Sequence, residues 1–143
     1  MIFKTLETDQ EIGNAFPLMS SLRDRVRGET FVDEIRRQQR DGYELIGGFD
    51  DGRLVTLAGI RRSHTLSRGE HLFVDDLVTD ESVRGHGYGR EMMGWLSALA
   101  RTERIPRIYL DSRSTARGFY ERIGFTFLTA IPCWIDVTPS AET

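Results

Sequence analysis

The run Arg84-Gly85-His86-Gly87-Tyr88-Gly89-Arg90 sets three alternating glycines between two arginines, directly before a segment of strong helical periodicity. Residues without side chains let the backbone curl round an anion, and the helix that starts there adds the positive end of its dipole. A diphosphate suits such a loop, and a plain flexible turn is the bland alternative. His86 reads as a solvated loop histidine, with a phosphate contact as its weaker reading. No Lys-Ser or Lys-Thr follows the glycines, so ATP would lack partners for its terminal phosphates and Mg²⁺. Arg90 stands where the dinucleotide fingerprint needs glycine, and a hairpin precedes the loop instead of a first βα turn, which argues against NAD.

Few other chemistries have the residues they need. One cysteine, Cys133, excludes an internal disulfide; without a His/Asp partner pattern it reads as a packing thiol, not a nucleophile. His64, His71 and His86 have no metal-site spacing, so no metal is expected. Lys plus Arg number 19 against 22 Asp plus Glu, and a net charge of -3 gives no basic excess for a nucleic acid partner. All the basic residues but Lys4 are arginine, a bias that reads as codon usage before phosphate-seeking. No apolar run reaches the roughly 20 residues of a membrane span, and Met1-Ile2-Phe3-Lys4 opens without a signal-peptide pattern, so a cytoplasmic protein is expected.

At 143 residues, 39% hydrophobic and 29% charged, the chain is expected to fold as a single domain over residues 1–143. Ile2 to Leu6 reads as a strand. Ile12, Ala15, Phe16, Met19 and Leu22 follow at helical spacing, with Pro17 kinking or restarting the helix. Thr30 is placed to cap a second helix through Phe31, Ile35 and Gln38 to Arg40. Tyr43 to Phe49 and Leu54 to Ile60 alternate on either side of Asp50-Asp51-Gly52 and predict a hairpin. A third strand spans about Glu70 to Thr79, with Leu72, Val74 and Val78 on one parity and Asp75 and Asp76 interrupting the apolar run.

Gly87 to Arg104 carries Met92, Met93, Leu96, Leu99 and Ala100 on one helical face, and Pro106 closes it. Arg107 to Asp111 reads as a short strand. Ser114 is placed to cap a last helix bearing Ala116, Phe119, Tyr120 and Ile123, with Gly124 at its end. Phe125 to Ala130 and Cys133 to Val137 are expected as two closing strands, whose exposed edges are compatible with a symmetric homodimer. The order βααβββαβαββ implies an α/β or α+β fold: a mixed, mostly antiparallel central sheet flanked by helices.

With these elements in place, the chain resembles the GNAT superfamily of acyl-CoA-dependent N-acyltransferases. Arg84-Gly85-His86-Gly87-Tyr88-Gly89 is similar to its Arg/Gln-x-x-Gly-x-Gly/Ala loop, and the run from Ala116 to Phe125 to its Ala-x-x-Phe-Tyr-x-x-x-Gly-Phe signature. The preceding strand Val74 to Thr79 also fits, so residues 43 to 127 match closely. Arg113 stands where many members have Asn, and Asp80-Glu81-Ser82 where a proline is frequent.

The resemblance implies transfer of an acetyl group from acetyl-CoA to a primary amine, small-molecule or peptidyl, by direct attack through a tetrahedral intermediate. It implies that Leu77, Val78 and Thr79 lend backbone to pantetheine beside Phe119. Amides from Arg84 and Gly85 through His86, Gly87, Tyr88 and Gly89 to Arg90 would hold the pyrophosphate, and the N–H of Leu77 or Val78 the oxyanion. Tyr120 stands at the family's general-acid position; a buried core aromatic is its other reading, and both are compatible. An amine arrives protonated and needs a base. Asp76 is the candidate, directly or through water, with Asp75 second; the alternative is that both attract the cationic acceptor or cap a strand bulge. A non-catalytic acyl-CoA-binding regulatory module is the second functional reading, since the cradle needs only backbone.

Overall fold

Alternating apolar residues on both sides of Asp51-Gly52 form the hairpin at the centre of the sheet, β2 (Glu44–Asp50) and β3 (Arg53–Thr65). β3 runs on past the expected Ile60, turns at 66–68 and returns as β4 (Gly69–Thr79), antiparallel to it. β1 (Ile2–Thr5) adds antiparallel to the far side of β2, and β5 (Ile108–Leu110) adds parallel to β4, giving the order β1-β2-β3-β4-β5. The mixed, mostly antiparallel sheet is therefore as expected. The computed structural model describes residues 1–140 and divides into two compact units, Met1–Asp111 and the segment from Ser112 onward.

In the first unit α1 (Asp9–Asn14) and α2 (Phe16–Leu22) are separate helices, because Pro17 fits a first turn, where no N–H is needed, but not a helix interior. With α3 (Phe31–Arg40) they cover one face of the sheet: Ile12, Met19, Phe31 and Ile35 bury against Tyr43, Leu45, Leu57 and Val78. Thr30 sits at the α3 N-cap position, but its side chain makes no capping bond. α4 (Tyr88–Thr102) packs on β3 and β4 and buries Met92, Met93 and Leu96; its Trp95 stacks on Phe3 of β1, 5.8 Å between centroids. Alternation turns Ile46, Ala58 and Ile60 to this second face.

In the second unit a 3₁₀ turn (Ser114–Ala116) leads into α5 (Arg117–Arg122), so the last helix starts later than expected and Ser114 does not cap it. Beyond it the two closing strands are not formed: residues 125–140 have no strand among them. An alternating apolar pattern supplies side chains for a sheet face but not the backbone partner a strand requires. Ile131, Trp134, Ile135 and Val137 are exposed, and so is Cys133, contrary to its reading as a buried packing residue. The edge strands behind the dimer expectation are therefore absent among the described residues.

The start of α1 is held electrostatically. Thr8 Oγ1 accepts from the Glu11 N–H at 3.0 Å, and Glu11 Oε1 accepts from the Thr8 N–H, also at 3.0 Å, while Lys4 Nζ lies 2.8 Å from Glu11 Oε2. The Lys4 contact first, then the amides of Thr8 and Glu7, lower the Glu11 carboxyl from 4.5 to about 2. A depressed folded-state value means stability that is full above the unfolded value of 4.5 and disappears as pH falls through about 2. Glu11→Gln is expected to lower the urea midpoint at pH 7, by a difference that shrinks as pH falls from 4.5 through about 2, followed by denaturant titration across that range.

Candidate active site

One extra residue in β4 organises the site. Opposite β3, Gly59 pairs with Asp76 and Ile60 with Val74, so Asp75 has no counterpart and forms a β-bulge. Before the bulge the Leu72 N–H points outward and donates to Arg107 O beside β5 (2.9 Å). After it the Asp80 N–H points inward and donates to Val55 O on β3 (2.8 Å). Both residues are even-numbered, so in a regular strand they would face the same edge. The bulge has reversed the parity, and Leu77 and Thr79 turn their N–H and C=O groups away from β3.

That outer edge is open. β5 pairs only with Leu72, Phe73 and Val74, and no strand among the described residues continues the ladder along Leu77 to Thr79. Val78 instead faces β3, and its carbonyl also accepts the buried Thr56 hydroxyl at 3.0 Å. The expected parity of Leu72, Val74 and Val78 is corrected by the same bulge: Val78 joins the core under α1 to α3, whereas Val74, paired with Ile60, faces the other way.

The bulge also sets both aspartates on one face, where regular alternation would separate them. Asp76 Oδ1 accepts from Arg23 Nε at 2.8 Å and Oδ2 from the Tyr43 hydroxyl at 2.8 Å; Arg23 Nη2 donates to Asp75 O at 2.7 Å. Asp75 Oδ2 takes Arg61 Nε at 2.6 Å, and the Arg61 guanidinium lies over the Tyr43 ring, 5.3 Å from its centroid. The Asp76 side chain is 15% exposed and that of Arg23 40%, so the pair borders solvent without being immersed in it. Burial first, then the negative charge of Asp76, pushes the Tyr43 phenol well above its usual value and keeps it a neutral donor. Sequence reasoning sets Arg23 to Glu29 at the wall of the acceptor site but does not pair Arg23 with Asp76, and it misses Tyr43 and Arg61; Arg23 and Tyr43 lie 53 and 33 positions from Asp76.

The glycine loop follows β4 through a 3₁₀ turn (Glu81–Val83) held by Asp80, whose Oδ1 accepts the Ser82 N–H at 2.9 Å and whose Oδ2 meets Arg53 at 2.8 Å. Gly87 is the N-cap of α4 at φ 79°, left-handed, and brings no capping side chain to the helix's first N–H groups. Gly85 has φ 88°, and a Cβ at either glycine would meet nothing within 4 Å. The Tyr88 hydroxyl donates to Asp50 on β2, a bond that raises its phenol and ties the helix start to the sheet. His86 is exposed, with Nδ1 2.9 Å from Val83 O. Arg84 is also exposed and lies 3.7 Å from Glu81; Gly89 and Arg90 fall in the first turn of α4.

These features suit a long anionic ligand: an open strand edge able to pair with an amide-bearing arm, continuing into a loop whose helix start has N–H groups without a capping side chain. Among the described residues no group of three His, Cys, Asp or Glu is placed to hold a metal, and no helix is long and apolar enough to cross a membrane.

Tyr120 belongs to the second unit. It is buried on α5 between Phe119 (5.1 Å between centroids) and Phe125 (5.2 Å), and burial raises its phenol. The helix ends in a Schellman turn, with the Phe125 N–H donating to Tyr120 O at 3.0 Å and the Gly124 N–H to Glu121 O at 3.1 Å; Gly124 has φ 97°. The Gly-Phe pair seen in the sequence therefore has a local cause: the glycine turns the chain, and the phenylalanine folds back on Tyr120.

Comparison with known proteins agrees with this geometry. The model of the Acetyltransferase (GNAT) family matches residues 14–125, a span that crosses both units. The chain is 30% identical over 128 residues to the uncharacterized N-acetyltransferase YhdJ of Bacillus subtilis (strain 168), covering 86% of this chain and 90% of that one. It is 32% identical over 76 residues to glucosamine 6-phosphate N-acetyltransferase of Trypanosoma brucei brucei, about half of each chain at 52%. A ribosomal-protein-alanine N-acetyltransferase from Brucella melitensis biovar Abortus 2308 shares the fold, with TM-score 0.80, 18% identity, and 95% of this chain and 99% of that one covered.

Gly87→Ala places a Cβ in open space but in a left-handed conformation, so its cost is conformational and not steric. A loss of about 1 kcal/mol is expected, read from urea unfolding of the ligand-free protein.

Proposed function

Because this chain is an N-acetyltransferase of the GNAT family, we propose that it moves an acetyl group from acetyl-CoA to a primary amine, with residues 1–143 acting as one catalytic domain. The observation that carries this reading is the parity reversal at Asp75, which leaves Leu77 and Thr79 open to a ligand on the strand that leads into the glycine loop. The outward C=O of Leu77 and the outward groups of Thr79 would pair with pantetheine. Val78 contributes through its side chain's packing, its backbone being engaged by β3 and Thr56. The N–H groups from Gly85 to Arg90 would hold the pyrophosphate, with Arg84 and Arg90 adding positive charge and Phe119 an apolar contact.

Acyl transfer then needs three services. The thioester carbonyl needs a donor as charge develops on oxygen; the outward N–H of Leu77 has that role in preference to Val78, whose N–H points to β3. One such donor is worth roughly 3 kcal/mol of barrier. The acceptor ammonium must lose a proton, and Asp76, directly or through water, takes it, with Asp75 held by Arg61 as a supporting charge. The amine nitrogen forms the new C–N bond, the C–S bond breaks, and the departing thiolate receives a proton from Tyr120. Burial favours this phenol's protonated form, the form an acid must have.

The acceptor is a small-molecule or peptidyl amine. The trypanosomal relative is named for glucosamine 6-phosphate and the structural neighbour for a ribosomal-protein alanine, which supports keeping both kinds of acceptor.

Titration of acetyl-CoA against a panel of amines, with detection of free thiol, tests the proposal. Thiol release dependent on one class of amine is the expected result; binding without release for any amine would support a regulatory acyl-CoA-binding module. ATP is expected not to compete for the site. Tyr120→Phe is expected to lose ten- to thousand-fold in turnover, an order-of-magnitude range, with little change in acetyl-CoA affinity. Unchanged turnover would remove Tyr120 from the mechanism.

A further inference from the structure

Tyr43 precedes β2, whereas Asp76 lies on β4, with β3 between them. A side chain can reach from one to the other only over the face of β3, and at that crossing β3 carries Gly59, the residue paired with Asp76. A Cβ built on Gly59 would sit 1.9 Å from the Tyr43 hydroxyl oxygen and 2.3 Å from its Cζ. Any other residue would therefore expel the phenol. The chain reserves this gap in its central strand, and Tyr43, whose ring lies in it, is 4% exposed.

Resting on the acyl-transfer reading above, we propose that Tyr43 is a positioning residue for that reaction: through the gap at Gly59 its hydroxyl fixes the carboxylate of Asp76, and so sets where the acceptor amine gives up its proton. Two donors of different kinds restrain the carboxylate. Tyr43 holds Oδ2 from the buried side, and Arg23, at the end of α2, holds Oδ1 from the solvent side. The other charged groups about it are Asp75 on β4 and Arg61 on β3, which pair with each other; Arg61 is held in turn by Gln38 Oε1 of α3 (2.9 Å) and by Asp41 O (3.0 Å). The charges thus balance pairwise. Each Asp76 oxygen accepts one hydrogen bond from the protein and keeps a lone pair for an acceptor or a water. A carboxylate locked in one rotamer by two donors meets a reacting amine at lower entropic cost than a freely rotating one.

Tyr43→Phe removes the hydroxyl and leaves the ring in its gap. Thiol release by the wild-type chain, the Tyr43→Phe and Asp76→Asn variants and the double variant is the test, with acetyl-CoA affinity from calorimetry and thermal melting beside it. The expected result is a fall of about tenfold in turnover for Tyr43→Phe, unchanged acetyl-CoA affinity, and no further fall when Tyr43→Phe is added to Asp76→Asn, since the hydroxyl then has no carboxylate to fix. Gly59→Ala, which displaces the phenol, is expected to lower turnover at least as far.

Wild-type turnover in Tyr43→Phe would overturn the proposal. So would an equal loss in both backgrounds, which marks a structural role independent of Asp76, or full activity in Asp76→Asn. Absence of thiol release from the wild-type chain with every amine would overturn the acyl-transfer reading itself and this inference with it, whereas release by the wild type that is indifferent to Tyr43 overturns only the latter.

Discussion

A strand in a sheet has two hydrogen-bonding edges, and its residues are assigned to them by strict alternation. The insertion of Asp75 into β4 breaks that alternation once, and most of what distinguishes this fold from an ordinary meander follows from it. Upstream, β4 is zipped to β5 by the outward groups that include the Leu72 N–H; downstream, the outward role passes to Leu77 and Thr79, which have no strand beside them. The two halves of one strand therefore do different work. The first half secures the sheet edge, and the second is left open where the chain turns into the glycine loop and α4.

The same insertion decides the side chains. Without it, one of two consecutive aspartates would be directed under α4, among Met92, Met93 and Leu96, where an unpaired carboxylate is costly to bury. With it, both reach the α1 to α3 face, and each meets an arginine, Asp76 with Arg23 and Asp75 with Arg61. Neighbouring charges are thus converted from a packing liability into a pair of anchored carboxylates, one of them backed by a buried phenol. The arrangement depends on Gly59, since the phenol occupies the volume a side chain there would fill.

What could be read from the amino-acid order is what local chemistry determines. The Asp-Gly hairpin, the long amphipathic α4, the glycine-rich start of that helix, the Phe-Tyr pair of α5 and the Gly-Phe pair that follows it all declare themselves within short stretches of chain, and each lies where expected. The bulge left a signal, two carboxylates inside an apolar strand, but its consequence for parity needs the pairing with β3. The contact of Arg23 with Asp76 spans 53 positions and that of Tyr43 with Asp76 spans 33, distances over which sequence spacing carries no information. The closing strands failed for the complementary reason: residues 125–140 have the composition of strands, and composition does not provide a neighbouring backbone.

Amide hydrogen exchange resolved by residue probes most directly the strand edge that Asp75 opens. On saturation with acetyl-CoA, the amides of Leu77 and Thr79 and those between Gly85 and Arg90 are predicted to gain protection together, while Val78 and Asp80, already directed to β3, stay as they were. Protection of Val78 in place of its neighbours, or coenzyme uptake that leaves Leu77, Thr79 and the glycine loop exchanging as before, would contradict the predicted use of that edge.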